Sequence, residues 1–473
     1  MALDLIIRGD CVVTPHGVGA WDIAVEGGKI SALTASGTIK DSDAGRVIDA
    51  AGRIVIPGGV DPHLHCKWQN PGTQIFSAAP DHVSRAALFG GTTTLLDFAI
   101  WQNGETLRQT IERRDEDWSR QCHCDYAYHV LLNGKIPVEI LEELPETIQA
   151  GFPSVKMYTT DGLPRRSNWK LDYGDIWEVL QILAREGGIA CIHAEDNDLV
   201  MHMYRKLGRE GRTHFEHMPE VHSTLSEDLS FRRIIRLAEN VEAAALYLMH
   251  TSARAGVEAI SESRRRGFPI YGETLHNYAL FTSDAYKLPN GQIYHTYPSL
   301  KSEDDRAALW DGMTTTGAIS TIATDGICTP LALKIKENQI DNTLGGHNGV
   351  EPRVSVMYHE IVTRRGESLE HFVDLVSTNA ARIFGLYPRK GAIAPGSDAD
   401  LVVLEPVKRV IRSEDLHESD YSLWEGHEIS AWPAITILRG KVVVDGKQFH
   451  GAPTDGQRLF RRIPDAVRSG PAC

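Results

Sequence analysis

The feature that most constrains the fold is a series of short apolar segments separated by stretches long enough for a helix. Eight segments recur in this way, at residues 53–63, 92–99, 125–132, 154–158, 189–193, 244–250, 268–273 and 318–325. Apolar strands joined by helix-length connections are typical of a parallel sheet covered by helices on both sides. The pattern predicts a (β/α)8 TIM-type barrel over residues 57–387, with functional residues at the carboxyl ends of its strands.

The two chain ends differ from the middle of the chain. Residues 4–33, 391–404 and 436–450 alternate apolar and polar residues between Gly and Asp turns, a pattern typical of short strands with one buried face. Neither end has enough strands to bury a face alone. We therefore predict one small β-sandwich domain from residues 1–56 and 388–455, followed by a surface or subunit-docking tail at 456–473.

Composition narrows the class of partner. The chain of 473 residues is 42% hydrophobic and 24% charged, as an ordinary globular protein is. Its formal net charge of −14 disfavours nucleic acid and anionic membranes as partners. The first residues lack a basic segment followed by a long apolar run, and seven cysteines are scattered without pairing motifs. These features predict a cytoplasmic protein with free thiols.

Titratable residues at the ends of the predicted strands point to a metal site. In the sequence His63-Leu64-His65, the spacing places both imidazoles on one face of a strand. Taken alone, a histidine at a strand end is more often structural than a ligand. Together, four histidines and a carboxylate at one rim would be costly to bury unless a metal satisfied them. The candidate ligands are His63, His65, His193, His250 and Asp325.

Lys156 lies on the fourth predicted strand and is the least obvious member of this group. An ammonium buried beside metal cations would be repelled by them. If its amine has reacted with carbon dioxide, the side chain is instead a carbamate, an anion whose two oxygens can bridge two metals. We therefore predict a carboxylated Lys156, with a surface lysine as the alternative.

Eight motifs follow one another along most of the chain. They are GGVDPHLH, GGTTTLLDF, SVKMY, CIHAEDN, YLMHTS, the GET segment at Glu273, IATDG and GAIAPGSDADLVVL. In this order the chain resembles the cyclic amidohydrolases, which include dihydropyrimidinase, hydantoinase and allantoinase. The resemblance implies one metal, usually zinc, held by His63, His65 and Asp325. It implies a second held by His193 and His250, with carboxylated Lys156 bridging the two and a homo-oligomer, a dimer or tetramer, as the assembly.

The resemblance also implies a reaction on a small cyclic amide, imide or ureide. A hydroxide bridging the two metals would attack a ring carbonyl, and Asp325 would shuttle its proton to the departing ring nitrogen. Two other classes remain open. One is a deaminase or lactone hydrolase on the same scaffold; deaminases of this fold commonly use one metal and need no bridging lysine. The other is a non-catalytic relative that acts in protein interactions, although such relatives lack much of the ligand set.

Substrate contacts depart from the family pattern. Five residues after Lys156, where the family usually has an oxyanion-binding tyrosine, this chain has Asp161. Tyr158 or a loop residue is the candidate replacement, and Tyr297 lies in the segment that resembles the family's substrate loop. Tyr158, Asp161 and Tyr297 are therefore predicted substrate contacts.

Basic and aromatic residues follow the first, second and fourth predicted strands. Arg165 and Arg166 follow the fourth strand, and Trp68 and Trp101 follow the first two. A pocket using them would suit an aromatic or carboxylate-bearing ring, so Arg165 is a further predicted substrate contact. The alternative is surface arginines and tryptophans that only pack beneath a lid. His214, His217 and His222 are expected to lie in a solvated loop and to bind no metal.

Overall fold

The computed structural model describes residues 3–473, which form two sheets and the helices around them. The strands are β1 (Leu5–Thr14), β2 (Gly17–Glu26), β3 (Lys29–Ala35), β4 (Val47–Asp49), β5 (Ile54–Pro57), β6 (Gly59–Asp61), β7 (Thr92–Ile100), β8 (Asp125–Leu131), β9 (Ser154–Tyr158), β10 (Ile189–His193), β11 (Ala245–Leu248), β12 (Ile270–Leu275), β13 (Ile319–Ala323), β14 (Leu401–Val410), β15 (Glu428–Leu438), β16 (Lys441–Asp445) and β17 (Gln448–Phe449). The helices are α1 (Pro80–Phe89), α2 (Leu107–Trp118), α3 (Val138–Gln149), α4 (Tyr173–Glu186), α5 (Asn197–Arg209), α6 (Met218–Val221), α7 (Thr224–Ala238), α8 (Arg254–Arg265), α9 (His276–Leu280), α10 (Glu303–Thr314), α11 (Leu331–Lys334), α12 (Arg353–Tyr358), α13 (Leu369–Val373), α14 (Asn379–Ile383) and α15 (Asp465–Ser469).

Strands β6 to β13 form an eight-stranded parallel sheet in sequence order, so the predicted TIM-type barrel is confirmed. The first and last strands meet just beyond their carboxyl ends. There Leu64 bridges Gly326 in parallel, and the Asp325 backbone N–H donates to the His63 carbonyl at 2.8 Å. The contact that closes the barrel therefore also brings the His63-Leu64-His65 segment beside Asp325.

The apolar runs follow from burial of each strand on both faces. The five residues of β9 and the five of β10 are all buried, one face toward the barrel interior and the other toward helices. Phe98, Tyr247 and Tyr271 belong to the cluster of side chains inside the barrel, called here the inner cluster. Strands of this kind lack the alternating pattern of a one-sided sheet, which is why continuous apolar runs predicted them.

The chain ends form one nine-stranded mixed sheet, which confirms that both ends join in one β-rich domain; it is a single sheet with parallel and antiparallel pairs where the sequence predicted a β-sandwich of antiparallel strands. β5 joins the two ends, since Val55 pairs with Val12 of β1 and with Val403 of β14. This sheet has its own apolar core, which includes Ile7 and Ile437. Because its strands come from both ends, the sheet requires nearly the whole chain.

The structure corrects the bounds of some predicted strands. The segment at 53–63 is not one strand, because it divides at Gly58 into β5 of the end sheet and β6 of the barrel. Residues 391–400 precede the strand that begins at Leu401, and β15 begins at Glu428, earlier than the predicted 436. Apolar periodicity reports which residues are buried, but both sheets bury residues here, so it does not reveal a change of sheet.

The last residues cover the amino ends of the barrel strands of their own chain. Leu459, Ile463 and Val467 are buried in the inner cluster, and the Tyr271 hydroxyl donates to the Val467 carbonyl at 2.9 Å. Docking of residues 456–473 to another subunit stays a prediction. Among the described residues, no helix has both the length and the apolar character needed to cross a membrane.

Candidate metal centre

Three predicted ligands meet where the barrel closes. The Nε2 atoms of His63 and His65 each lie 3.1 Å from Asp325 Oδ1. One ligand atom from each of the three lies within 4.8 Å of the others, and all three residues are buried. Thr296 donates its hydroxyl to Asp325 Oδ2 at 3.1 Å, which orients the carboxylate. These donors form one compact group of two imidazoles and a carboxylate.

The other two histidines form a second group beside the first. His193 Nδ1 lies 2.9 Å from His250 Nε2, and the rings of His250 and His63 are 5.5 Å apart between centroids. Burial lowers the pKa of His193 to about 4, although Glu195 opposes this, and it lowers the pKa of His250 well below its usual value. Both imidazoles are therefore neutral at pH 7, the form that binds metal.

Buried carboxylates lie behind the ligands. Glu273 Oε1 is 2.7 Å from His63 Nδ1, and Glu195 Oε2 is 2.8 Å from His193 Nε2. Burial opposes protonation of His63, yet Glu273 and Asp325 raise its pKa to about 9. A carboxylate on the far nitrogen of a ligating histidine fixes the ring and its tautomer. Both groups thus have the supporting contacts expected of a metal centre.

Lys156 is completely buried on β9, close to the aromatic rings of Phe98 and Tyr158. Its Nζ lies 2.7 Å from Met249 Sδ and 4.8 Å from the Tyr158 ring centroid. No carboxylate forms an ion pair with it anywhere in residues 3–473. Burial lowers its pKa to about 8, so about a tenth of the amine is unprotonated at pH 7.

Two of the candidate ligands have backbone conformations that non-glycine residues rarely adopt. His250 has φ of 40° and Asp325 has φ of 48°. Such conformations cost of order 1–3 kcal/mol each and cluster at functional sites. Each residue lies just beyond its strand, so the left-handed turn directs its side chain back over the rim of the barrel.

The donor chemistry of the two groups suits a pair of divalent transition-metal ions. Imidazole nitrogen with carboxylate oxygen is a set that Zn²⁺ and similar ions bind. The buried Nδ1 of His65 has no hydrogen-bond partner among the described residues. His63, His65 and Asp325 would hold one ion, and His193 and His250 the other.

A cleft opens above these ligands. Its walls include Trp68, Tyr158 and Tyr297, and its outer rim includes Arg165 and Arg166. Three of the four predicted substrate contacts, Tyr158, Tyr297 and Arg165, therefore face the same space as the metal ligands.

Asp161 has a different position. Its Oδ1 accepts hydrogen bonds from the backbone N–H groups of Trp169 and Lys170, at 2.8 and 3.0 Å. It is not among the residues that line the cleft. Its carboxylate thus shapes the loop that carries the arginines, and direct substrate contact by Asp161 remains a prediction without support from this geometry.

Sequence reasoning missed part of the site. The expectation that His222 lies in a solvated loop is wrong, because His222 is fully buried and its Nδ1 lies 2.8 Å from Glu195 Oε1. Its Nε2 is 3.1 Å from the Tyr204 hydroxyl, which donates to the Gly162 carbonyl. A signal existed for Glu195 and Glu273: each is a carboxylate within or just after an apolar strand, where only a specific partner offsets its burial.

The chain matches a known family and full-length relatives. Residues 54–443 match the model of the amidohydrolase family. The D-hydantoinase of Geobacillus stearothermophilus is 32% identical over 466 residues, covering 96% of each chain. The D-hydantoinase of Rhizobium radiobacter is 32% identical over 475 residues, covering 97% of this chain and 99% of that protein.

Solved structures show the same architecture. A D-hydantoinase structure superposes with a TM-score of 0.91 at 31% identity, covering 97% of this chain and 99% of that one. The dihydropyrimidinase from Brevibacillus agri NCHU1002 gives a TM-score of 0.91 at 29% identity, covering 97% and 98%. On the family match and these full-length relatives, the chain belongs to the amidohydrolase family.

Proposed function

We propose that this protein is a metal-dependent hydrolase that opens the ring of a cyclic amide, imide or ureide of the hydantoin or dihydropyrimidine type. The observation that carries the proposal is the pair of adjoining ligand groups, His63, His65 and Asp325 beside His193 and His250, at the floor of one cleft. The full-length likeness to D-hydantoinases supports the ring class.

The proposed cofactor is two divalent ions, with zinc as the expected metal. When bound, such ions supply Lewis acidity and lower the pKa of water toward about 7. The proposed bridging ligand is a carbamate on Lys156, whose buried and partly unprotonated amine is suited to react with carbon dioxide. A crystal structure of the metal-loaded protein, or a carbamate signal in its 13C NMR spectrum after incubation with 13C-bicarbonate, would support the carbamate; a bare Lys156 amine in the metal-loaded crystal would exclude it.

Asp325 is the proposed proton carrier. His63 and His65 keep its pKa well below the usual value despite burial, so the carboxylate is ionised and able to hold a metal ion. Its Oδ2 is held by Thr296, which keeps the carboxylate at the cleft floor. Asp325 takes the proton from the attacking water and returns it to the departing ring nitrogen, so the ring opens to an N-carbamoyl or amidated acid.

Tyr158 and Tyr297 are the proposed substitutes for the tyrosine that the family usually has at the position of Asp161. Both rings line the cleft, and the Tyr158 ring lies 4.9 Å from that of His193 between centroids. A phenol hydroxyl close to the ligands can donate to the oxygen of a carbonyl under attack.

The test is ring opening by metal-reconstituted protein. We expect loss of ultraviolet absorbance with at least one member of a panel of hydantoins, dihydropyrimidines, allantoin and cyclic imides. We expect about two metal ions per chain, and no activity in Asp325→Asn protein. No turnover of any ring would refute the function, and one ion per chain with an unmodified Lys156 would favour the deaminase alternative.

A further inference from the structure

Two adjacent arginines form the outer rim of the cleft. Arg165 and Arg166 lie in the loop between β9 and α4, and both line the space above His63 and His193. They also line a second, adjoining cleft whose walls include Trp101. A ligand placed at the metal site could therefore extend past both guanidinium groups into this outer space.

Arg166 is held in place by aromatic rings. Its guanidinium carbon lies 5.2 Å from the Tyr158 ring centroid and 5.0 Å from that of Trp169. Its Nε donates to the Asp161 carbonyl at 2.5 Å. Stacking on aromatic faces fixes the plane of a guanidinium while leaving its terminal N–H groups available to a ligand.

Arg165 has fewer contacts of its own. Its Nη2 makes only a long hydrogen bond of 3.4 Å to the Asn342 carbonyl, and its buried Nε has no partner among the described residues. A buried N–H without a partner costs free energy unless a ligand satisfies it. Apart from that long bond, the terminal N–H groups of Arg165 have no hydrogen-bond partner among the described residues and can serve a ligand in the cleft.

The neighbouring backbone leaves room for both side chains. A Cβ on Gly72 would lie 2.9 Å from Arg165 Cδ, and a Cβ on Gly162 would lie 2.7 Å from Arg166 Nη2. Both glycines have positive φ, 71° and 72°, which disfavours any other residue there. The two arginine side chains thus pass close to the backbone at these glycines.

The charge of the two arginines is not neutralised within the protein. In residues 3–473 no carboxylate forms an ion pair with Arg165 or Arg166. By contrast, two other arginines of the adjoining cleft are paired, Arg113 with Glu105 and Arg114 with Asp97. In a chain of net charge −14, two unpaired cations beside this cleft are a specific feature and not a consequence of composition.

We infer that the ring opened at this site carries a carboxylate substituent, which Arg165 and Arg166 bind. This inference rests on the proposed function and names its substrate class. The ring lies among Trp68, Tyr158 and Tyr297 above the metal ligands, and the substituent points outward to the arginine pair. A guanidinium binds a carboxylate through paired, charge-assisted hydrogen bonds, which discriminate strongly against a neutral group of the same size.

The experiment compares two hydantoins with the same ring and nearly the same shape, 5-(2-carboxyethyl)hydantoin and 5-(2-carbamoylethyl)hydantoin. The kcat/KM of ring opening is measured with zinc-loaded protein. Binding of each compound is measured by calorimetry on protein freed of metal with a chelator, so that no turnover occurs. The variants are Arg165→Gln, Arg166→Gln and, as a matched loss of charge, Arg108→Gln, since Arg108 is 78% exposed on α2.

Wild-type protein is expected to prefer the acid over the amide by about 10- to 100-fold in kcat/KM and in binding. Arg165→Gln and Arg166→Gln should remove most of this preference by weakening the acid alone, while Arg108→Gln should keep it. Arg165→Lys should restore part of it, because charge returns without the paired geometry. If Arg166→Gln fails to fold, as judged by its melting temperature, Arg165→Gln decides alone.

Two failures can be told apart. If wild-type protein opens both rings equally and the variants change neither, the carboxylate inference is refuted while the hydrolase function stands. If wild-type protein opens neither hydantoin and no other member of the panel, the proposed function fails. The binding preference for the acid over the amide, measured by calorimetry, still decides whether the arginines bind a carboxylate. Equal binding of acid and amide would overturn the inference in either case.

Discussion

One buried carboxylate behind the ligands supports both ligand groups of the candidate metal centre. Glu273 accepts from the backbone N–H of His250 at 2.9 Å and contacts His63 Nδ1, so one carboxylate supports both ligand groups. Loss of such a contact typically costs 10- to 100-fold in metal affinity. The buried Glu273 is therefore a positioning residue rather than a catalytic one.

We predict that Glu273→Gln lowers zinc affinity by about 10- to 100-fold, measured by competition with a chromophoric chelator. The matched control is Glu360→Gln, because Glu360 is also buried but pairs with Arg364 and Arg365 away from the cleft. Equal zinc affinity of both variants and wild type would contradict the supporting role of Glu273.

The pKa of His63 predicts how zinc binding depends on pH. In metal-free protein this pKa is about 9, so below that pH a proton must leave before His63 can bind metal. Apparent zinc affinity should therefore rise by about tenfold per pH unit from about pH 7 to 9 through this residue and gain no more above it. Chelator competition across pH 6 to 10 checks this.

In wild-type protein, zinc affinity should stop rising at about pH 9, and this pH is the upper break of the profile. Glu273→Gln should move the break to lower pH, because it removes one of the carboxylates that raise the pKa of His63. A flat profile in wild type would show that His63 does not lose a proton on binding, and a break that stays in place in the variant would show that Glu273 does not raise the pKa of His63. His193, with its pKa of about 4, is already unprotonated across this pH range and therefore does not make zinc affinity depend on pH there.

At the level of elements, residues 456–473 close the amino-terminal end of the barrel. Leu459 is 1% exposed and packs against the inner cluster, whereas its neighbour Phe460 is 57% exposed. The backbone N–H of Leu459 donates to the Tyr126 carbonyl at 2.7 Å, which extends the barrel edge. The segment is therefore expected to contribute to stability and not only to surface contacts.

We predict that Leu459→Ala lowers the free energy of unfolding by about 2 to 5 kcal/mol, because it leaves a cavity in the core. Phe460→Ala should cost much less, since that ring is already largely in water. Thermal denaturation of both variants checks this. A larger loss in Phe460→Ala, dependent on protein concentration, would instead indicate that another subunit covers this face.

At the level of the whole molecule, the end domain braces the rim of the barrel. Trp424 stacks on His276 with ring centroids 4.2 Å apart, and Glu418 accepts from the Gly349 backbone N–H at 2.9 Å. The loop at 345–349 also borders the cleft through Gly345 and Gly346. Contacts from outside the barrel thus support one wall of the site.

We predict that the protein unfolds in one calorimetric transition, because the two parts share these buried contacts. Trp424→Ala should lower stability by about 3 to 5 kcal/mol, since the side chain is almost fully buried. Trp432→Ala is the control and should cost less, because this ring is only half-buried at the edge of the core and carries Arg409 on its face. Two separate transitions in wild-type protein would refute the coupling.

Particular residues show how far sequence reasoning reached. Strands β9 and β10 have the predicted bounds, 154–158 and 189–193, because they are short and buried on both faces. The strand-end ligands were predicted because side chains at the carboxyl ends of parallel strands converge. Glu195 and His222 were not assigned roles, since their pairing joins residues far apart in the chain, and periodicity carries no information on such contacts.

The sequence by itself determined the barrel, the joining of its two ends and the set of candidate ligands, because burial imposes periodicities and spacings that can be read locally. The tertiary structure decided which donors share a space, that Asp161 supports a loop rather than lining the cleft, and that Arg165 and Arg166 lack carboxylate partners. Hydrogen bonds and charge pairing depend on distances of a few ångströms between distant segments. Only the folded chain sets those distances.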